Sequence, residues 1–373
     1  MVQQPSRAAN KNILKALFFG LNFVRPKNSA PQKCTQIIAM KAVIPVAGAG
    51  TRLRPLTYTQ PKPLIPVAGK PILSFILDQL IDVGVREFVF IVGYLGEKIR
   101  DYVEHAYPDI SKVFVTQDER KGSAHALWTA RESFRNTNEL IVFFGDAIID
   151  MDFQKVLNEP HSCLGVKKVQ DPRAFGVVEY GEGNQVKFMI EKPRIPKSNL
   201  AMVGFYRIRE VPMLIEALEY NIENNISTDG EFPLTDALMH MIQNGVIFTG
   251  IEVDNWFNCG KKEVLLQTNA TLLDREGYAS SNLPPFDNSI IIHPVSIGEN
   301  CHIVNSIIGP HVTIGSNVQI NYAIVVDSII GNFASIKEVI LQHSVVGNDT
   351  AITGLRQSFN IGDNTEIDFS LPA

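Results

Sequence analysis

The densest group of residues suited to chemistry lies between Gly48 and Pro71, in the segment GAGTRLRPLTYTQPKPLIPVAGKP. Gly48 and Gly50 carry no side chains, so backbone N–H groups of this stretch can approach a phosphate closely. Arg52 and Lys62 add two positive charges to the same segment. The pattern is neither the G-x-x-x-x-G-K-[ST] loop nor the dinucleotide-binding G-x-G-x-x-G loop. It therefore predicts a phosphate site of another kind.

A carboxylate follows later in the chain, where the apolar run LIVFF is followed by Gly145 and Asp146. One aspartate at the end of a buried strand is a suitable ligand for Mg²⁺, which takes one or two carboxylates together with phosphate oxygens and water. Taken alone, Asp146 is equally well interpreted as a turn residue or a helix cap. Its combination with the glycine loop favours a catalytic role.

The elements that would position these residues alternate between strand and helix from Met40 onward. KAVIPVAG and EFVFIVG are apolar runs that end in glycine, and PILSFILDQLIDVG between them has apolar residues at helical spacing. Such a pattern predicts an α/β fold, with a mostly parallel, Rossmann-like sheet covered on both faces. Ligands of these sheets bind beyond the carboxyl ends of the strands, where the glycine loop and Asp146 both fall.

A different pattern begins at about residue 282, after which Ile-Gly and Val-Gly pairs recur. The glycines at 298, 315, 331, 347 and 362 are 17, 16, 16 and 15 residues apart. This period suits three short strands with their corners, so it predicts stacked β-coils. An irregular antiparallel β domain is the alternative. We therefore expect one domain at 40–281 and a parallel β-helix at 282–373.

The composition limits the functions that remain. A formal net charge of −5 over 373 residues argues against a nucleic-acid-binding protein, because that task needs a positive surface. The sequence has no run of about eighteen apolar residues, so no membrane insertion is expected. Four scattered cysteines predict neither a zinc site nor a disulfide framework. Residues 1–39 are basic and contain no Asp or Glu; we interpret them as a disordered or non-native extension, with a targeting segment as the alternative.

The glycine loop, together with QDERKGSAHAL, FGVVEY, IEKP and SNLAMVGFY, resembles the sugar-1-phosphate nucleotidyltransferase family, especially its glucose-1-phosphate thymidylyltransferases. The similarity runs from Met40 to about residue 275, and longer members carry a left-handed β-helix tail. The resemblance implies that Lys62 neutralises triphosphate charge and that Gln117 and Gly122 contact the base. It implies that the nucleotide phosphates are held by Gly48, Ala49, Gly50, Thr51 and Arg52.

The same resemblance implies the contacts of the sugar phosphate. Phe175 and Gly176 would approach the sugar, and Val203 would lie beside the hexose. Glu191 would bind sugar hydroxyls, and Lys192 would bind the phosphate. Without the resemblance, the adjacent Glu and Lys would be interpreted as an ordinary surface pair.

Two metal ligands also follow from the resemblance, Asp146 and the residue at position 258. Relatives usually carry an aspartate at the second position, whereas this chain has Asn258. An amide oxygen can coordinate Mg²⁺, but it lacks the full negative charge. Asn258 therefore supports the prediction of an active enzyme less strongly than an aspartate at this position would.

The implied reaction transfers a nucleoside monophosphate from dTTP to glucose-1-phosphate, with Mg²⁺ as cofactor and pyrophosphate as leaving group. The attacking phosphate oxygen is already an anion, so no protein nucleophile or general base is needed. Catalysis would consist of positioning and of charge neutralisation by Arg52, Lys62, Asp146 and Lys192. The amide of Gln117 offers one donor and one acceptor to N3–H and O4 of a pyrimidine, which favours dTTP or UTP.

Several alternatives stay open at this point. UTP, GTP or ATP and another sugar would keep the enzyme class. An acyltransferase in the β-helix would use His293, His302, His311 or His343 as a base. A non-catalytic regulatory or interaction homologue would explain Asn258. We expect a cytoplasmic enzyme. We also expect a homo-oligomer, because the flat faces and the open last coil of a β-helix need covering.

Overall fold

The computed structural model describes residues 40–354. The interpretation of 1–39 therefore lies outside the described residues, as does the predicted β-helix from 355 to 373. The chain divides into two compact units, with the division between Tyr278 and Ala279. Within residues 40–354, no helix combines the length and the apolar character that crossing a membrane requires.

The strands of the first unit, within the described residues, are β1 (Met40–Pro45), β2 (Pro66–Val67), β3 (Lys70–Pro71), β4 (Glu87–Val92), β5 (Ser111–Thr116), β6 (Glu139–Phe143), β7 (Ala147–Asp150), β8 (Ser162–Lys168), β9 (Gly176–Tyr180), β10 (Val186–Glu191), β11 (Leu200–Ile208), β12 (Phe248–Glu252) and β13 (Asn255–Asn258). Nine of them form one sheet in the order β10-β9-β11-β6-β1-β4-β5, with β8 beside β11 and β12 beside β8. Two small antiparallel pairs, β2 with β3 and β7 with β13, stand apart from it.

The predicted parallel sheet forms the part of this structure that carries the glycine loop. Strands β6, β1, β4 and β5 pair in parallel, and β12 pairs in parallel with β8. Strands β9, β10 and β11 pair antiparallel with one another, and β11 joins them to β6. The sheet is mixed because β9 and β10 are joined by a short turn rather than by a crossover helix.

Seven helices of the described residues complete this unit: α1 (Ile72–Asp82), α2 (Gly96–Ala106), α3 (Ser123–Ala130), α4 (Phe153–Asn158), α5 (Val211–Glu223), α6 (Leu234–Gln243) and α7 (Lys262–Leu273). Helix α1 begins after Pro71 and buries the apolar residues that predicted it, including Ile72 and Leu80. Alternate strand residues face two separate cores: Val43 and Val142 lie in one, and Ile44 lies in the other. Apolar groups therefore cover both sheet faces, as predicted.

The second unit, in its described part, is a left-handed β-helix made of three parallel four-stranded sheets. One sheet comprises β14 (Ile290–Ile291), β17 (Ile307–Ile308), β20 (Ile324–Val326) and β23 (Ile340–Gln342). The second comprises β15 (Val295–Ile297), β18 (Val312–Ile314), β21 (Ile329–Ile330) and β24 (Val345–Val346). The third comprises β16 (His302–Val304), β19 (Gln319–Asn321), β22 (Ser335–Lys337) and β25 (Ala351–Thr353). The parallel pairing excludes the antiparallel alternative for these residues.

Each coil of this unit places matching residues above one another. Ile303, Ile320 and Ile336 pair in register and are buried in the core. Corners use left-handed backbone, for example at Asn305 and Asn317 with φ of 50° and 59°, a conformation that asparagine tolerates better than most residues. The pattern recurs in the sequence because each coil repeats the same arrangement of strands and corners.

Candidate active site

The glycine loop follows β1 and lines a cavity of about 640 Å³ in the first unit, here called the nucleotide cavity. Gly50 has φ of 60°, and its carbonyl accepts hydrogen bonds from Leu53 N and Thr57 Oγ1. These bonds fold the loop into a tight turn that leaves Arg52 exposed. The structure brings all the predicted phosphate-contacting residues to this cavity: Gly48, Ala49, Gly50, Thr51 and Arg52.

Lys62 and Asp146, both predicted as catalytic, form an ion pair at the edge of this cavity. The Lys62 side chain is only 9% exposed, and its Nζ donates to Asp146 Oδ2 at 2.9 Å. A single helical turn at Lys62–Leu64 holds the lysine, while the aspartate follows β6. The Asp146 side chain is 51% exposed, so this carboxylate faces both a buried cation and the open cavity. The arrangement keeps a positive charge next to the phosphate loop.

A buried thiol, Cys259, lies behind this ion pair. Burial raises the pKa of Cys259 to about 11, although the neighbouring Lys62 acts in the opposite direction. A thiol with this pKa stays protonated at neutral pH and is a poor nucleophile. Cys259 therefore contributes packing, and the positive charge of Lys62 remains directed at Asp146 and the cavity.

Gln117 and Gly122, predicted to contact the base, also line the nucleotide cavity. Gln117 follows β5 and is 5% exposed. Gly122 precedes α3 with φ of 100°, and a Cβ there would lie 2.5 Å from the carbonyl oxygen of Phe232. Only glycine fits this close approach of two backbone segments. The site needs the glycine for packing as well as for access.

A second cavity of about 450 Å³, here called the sugar cavity, is lined by all the predicted sugar-phosphate residues: Phe175, Gly176, Glu191, Lys192 and Val203. Glu191 ends β10 and pairs in register with Gly176 of β9. Thr235 Oγ1 donates to Glu191 Oε2 at 2.6 Å, which orients this carboxylate. Lys192 has a left-handed backbone, with φ of 42°, and its Nζ lies 3.8 Å from Glu191 Oε1.

The two cavities meet at one place. They share Asp146, the loop residue Gly48, Phe144, Ser123 and Glu231. Asp146 is therefore accessible from both cavities. This is the geometry needed to bring two phosphate-bearing molecules to one carboxylate.

Asn258, the predicted second metal ligand, lies next to Asp146 through strand pairing. Asn258 of β13 is the register partner of Ala147, which follows Asp146. A Cβ built at Gly260 would lie 3.2 Å from Asn258 Oδ1 and 3.7 Å from Lys62 Nζ. Within residues 40–354, no group of three or more His, Cys, Asp or Glu side chains is arranged to hold a metal. The donor set offered is thus one carboxylate and one amide oxygen, which suits a hard cation that also binds phosphate oxygens and water.

Several lining residues were not predicted from sequence. Arg120 lines the nucleotide cavity, and Glu231 lines both cavities. Trp256 and Thr235 line the sugar cavity, where Trp256 packs edge-on against Phe175 with ring centroids 4.7 Å apart. Arg120 lies inside the QDERKG segment and was open to prediction. Trp256 lies in the same short strand as Asn258, whereas Glu231 and Thr235 belong to a stretch that resembles the family but whose place in the cavities follows only from the fold.

Comparison with known proteins is consistent with this site. Residues 41–275 match the family model described as Nucleotidyl transferase. A glucose-1-phosphate thymidylyltransferase of Streptomyces antibioticus is 31% identical over 90% of this chain and 95% of its own length. The bifunctional protein GlmU of Methanocaldococcus jannaschii is 38% identical over 63% of this chain, but that match spans only 55% of GlmU.

A solved structure has the same fold. UDP-glucose pyrophosphorylase complexed with UDP-glucose aligns with a TM-score of 0.55 and 24% identity, over 62% of this chain and 98% of its own. The chain belongs to the nucleotidyl transferase family, as the residues of the glycine loop and the sugar strands predicted. Its activity is that of a sugar-phosphate nucleotidyltransferase.

Proposed function

We propose that the protein transfers a thymidylyl group from dTTP to glucose-1-phosphate, releasing pyrophosphate. The observation that carries this proposal is the junction of two cavities at Asp146, one lined by the glycine loop and the other by Glu191 and Lys192. The relative from Streptomyces antibioticus, whose match spans nearly its whole length, supports this choice of substrates.

The two substrates divide between the two cavities. The triphosphate lies against the glycine loop with Arg52 and Lys62, and the sugar phosphate lies with its phosphate near Lys192. A phosphate oxygen of the sugar phosphate then attacks the α-phosphorus in line, the new P–O bond forms, and the bond to pyrophosphate breaks. The nucleophile is already ionised, so the protein needs only to position two polyanions and to offset their charge.

Mg²⁺ fits the oxygen donors at the junction. Asp146 and Asn258 would hold it, and the phosphate oxygens of the substrates would complete its coordination. When bound, the ion supplies positive charge that offsets the charge developing on the phosphates. Lys62 keeps the Asp146 carboxylate in place through their hydrogen bond.

Thymine and uracil differ by one methyl group, so a pocket separates dTTP from UTP only by its contact with that group. A methyl group in a pocket contributes only about 1–3 kcal/mol to discrimination. We place dTTP first and UTP second, because both bases carry N3–H, from which the amide oxygen of Gln117 can accept a hydrogen bond. ATP, GTP and other sugar phosphates remain as arms of the test.

The test measures pyrophosphate release from dTTP and from each of the four common ribonucleoside triphosphates. Each is combined with glucose-1-phosphate, mannose-1-phosphate or N-acetylglucosamine-1-phosphate. We expect the highest kcat/KM for dTTP with glucose-1-phosphate. A higher value for UTP would replace the thymidylyl group by a uridylyl group. No release with any pair would reject the proposed reaction.

We also propose that the β-helix joins a second copy of this chain through its isoleucine row, which consists of Ile290, Ile307, Ile324 and Ile340. These residues pair in register on one sheet. The first is 59% exposed and the last is 71% exposed. The row itself is apolar, so an apolar surface is its most suitable partner. A second copy offers the same row with the same strand spacing, as a two-fold interface requires.

The oligomer is tested by Ile340→Lys, with Gln319→Lys on another sheet as the matched control. We expect Ile340→Lys to lower the mass measured by light scattering, since a charge would enter an apolar contact. The control should keep the wild-type mass. A wild-type monomer, or an unchanged mass in Ile340→Lys, would reject this interface.

A further inference from the structure

Gln117 hydrogen-bonds to His125 of α3, which is not among the described residues that line the nucleotide cavity. The Gln117 Nε2 atom lies 3.0 Å from His125 Nδ1. The same nitrogen lies 3.3 Å from the carbonyl oxygen of Gly122. The amide of Gln117, a residue that lines the nucleotide cavity, is therefore held by two partners.

The chemistry of these partners decides which way the Gln117 amide faces. A backbone carbonyl only accepts hydrogen bonds, so the amide nitrogen must lie on the Gly122 side. His125 Nδ1 must then accept the second N–H, which requires a neutral ring with its proton on Nε2. With both N–H groups engaged, Oε1 is the amide atom that remains for a ligand. Gln117 thus offers the base an acceptor.

The surroundings of His125 keep its ring neutral. Partial burial holds the pKa of His125 below its ordinary value of 6.5, and the charge of Lys121 lowers it further. Glu119 acts in the opposite direction, and these two are the charged groups that act on the ring. The ring also packs against Trp128, with centroids 5.8 Å apart. At neutral pH the acceptor at Nδ1 is therefore present.

We propose that His125 is a positioning residue for base selection, holding the Gln117 amide so that Oε1 faces N3 of the base. This inference rests on the proposed function. Uracil and thymine carry N3–H, which donates to Oε1. Cytosine has an unprotonated N3, so two acceptors would face each other and both would stay unpaired. A buried site built for one hydrogen-bonding pattern rejects the opposite pattern strongly.

Protonation of His125 should release the amide. A protonated ring has N–H at Nδ1 and cannot accept from Gln117; it can donate to Oε1 of the turned-over amide, which competes with the hydrogen bond to Gly122. As the pH falls through the pKa of His125, the KM for UTP or dTTP should rise, and the preference for UTP over CTP should fall. Above that pKa, both values should stay constant.

Two variants separate this role from packing. His125→Phe keeps a ring beside Trp128 but removes the acceptor, and His125→Asn supplies an oxygen near the position of Nδ1 that does not titrate. We expect the UTP/CTP ratio of kcat/KM to fall by about tenfold or more in His125→Phe, because only the hydrogen bond to Gly122 then opposes the turned-over amide that pairs with cytosine. His125→Asn should keep the wild-type ratio and lose its pH dependence. For UTP, kcat should stay close to wild type in both.

The preference for UTP over CTP is also measured as the ratio of their dissociation constants, by isothermal titration with each nucleotide. It therefore decides the inference even if no sugar phosphate reacts, in which case only the proposed reaction fails. NMR of the imidazole gives the pKa of His125, which should coincide with the pH at which the ratio changes. An unchanged ratio in a folded His125→Phe protein, or an equal loss in His125→Asn, would overturn the inference.

Discussion

The nucleotide cavity and the sugar cavity meet at Asp146 but are built in different ways. The longest continuous part of the nucleotide cavity lining is residues 45–53, so Gly48–Arg52 reaches it as a single segment. The sugar cavity is formed by side chains from separate strands, with Glu191 at the end of β10 and Val203 within β11. Backbone groups suit the phosphates that all nucleotides share, whereas strand register positions the side chains that distinguish a sugar. Substitutions should therefore affect one substrate in either cavity and both substrates at the junction.

The largest effect is expected from Asp146→Asn, at the junction. The substitution keeps the shape but removes the charge that faces Lys62 and that would hold the proposed Mg²⁺, so kcat should fall by about a hundredfold or more. The buried lysine would also lose its counterion, which should lower the free energy of unfolding by about 1–3 kcal/mol. Steady-state kinetics and urea unfolding measure the two effects.

The matched control for this change is Asp152→Asn, which makes the same substitution at the N-cap of α4. Asparagine caps a helix about as well as aspartate, so activity and stability should stay at wild-type values. A loss of kcat of only about threefold in Asp146→Asn would be far smaller than the loss expected for a charge at the reacting phosphates. That result would show that the two cavities do not share one catalytic carboxylate.

An intermediate effect is expected from Lys192→Ala, which tests the sugar cavity alone. Loss of a charged hydrogen bond to phosphate corresponds to about 1.5–3 kcal/mol, so the KM for the sugar phosphate should rise by about ten- to a hundredfold. The dissociation constant of the nucleotide should change little, because Lys192 does not belong to the described lining of the nucleotide cavity. Isothermal titration with each substrate separately measures both values.

Arg52→Ala is the mirror variant, since Arg52 lines the nucleotide cavity and is not part of the described lining of the sugar cavity. It should weaken nucleotide binding and leave the sugar phosphate nearly unaffected. Lys197→Ala removes an equal charge from an exposed position close in sequence to Lys192 and should change neither. Equal weakening of both substrates by Lys192→Ala would contradict the division between the cavities.

The same contrast explains how much of the molecule could be predicted from sequence. The glycine loop and the parallel strands around β1 follow from local patterns, because consecutive residues form them. The β-helix period was also visible, since each coil repeats one geometry. Strands β9, β10 and β11 were not predicted as antiparallel, because apolar alternation does not specify a strand's direction.

The site shows the same limit. The predicted residues at each cavity come from recognisable segments, and their catalytic and binding roles stay predictions. Thr235 reaches Glu191 from a helix 44 residues away in the chain, and its sequence context gave no sign of this hydrogen bond. His125 lies within the segment QDERKGSAHAL, but its contact with Gln117 depends on how β5 and α3 meet. Residues that contact a predicted site residue, as Thr235 and His125 do, can be identified only in the folded protein, because sequence spacing does not fix the direction of a side chain.

The smallest effect is expected from Asn258→Asp, which sharpens the comparison at the junction. Asn258 lies on β13 opposite Ala147, and Lys62 Nζ is close by. An aspartate here would add a second negative charge beside the metal, with Lys62 to stabilise it. The Coulomb gain is on the order of a few kcal/mol before desolvation is subtracted, and much of it is lost to that cost. The substrate phosphates also bind the ion, so one protein ligand has a limited effect. We therefore expect the Mg²⁺ concentration for half-maximal rate to be about a few-fold lower in Asn258→Asp.

The preference among nucleotide bases should not change in Asn258→Asp, because the base end of the cavity is formed by Gln117 and Gly122. Asn255→Asp, on the same strand but exposed and outside the described lining of both cavities, is the matched control. It should leave the Mg²⁺ dependence at the wild-type value. If Asn258→Asp leaves that dependence untouched while the enzyme stays active, or abolishes turnover, then residue 258 is not a metal ligand. The junction would then bind Mg²⁺ through Asp146 and the substrate phosphates alone.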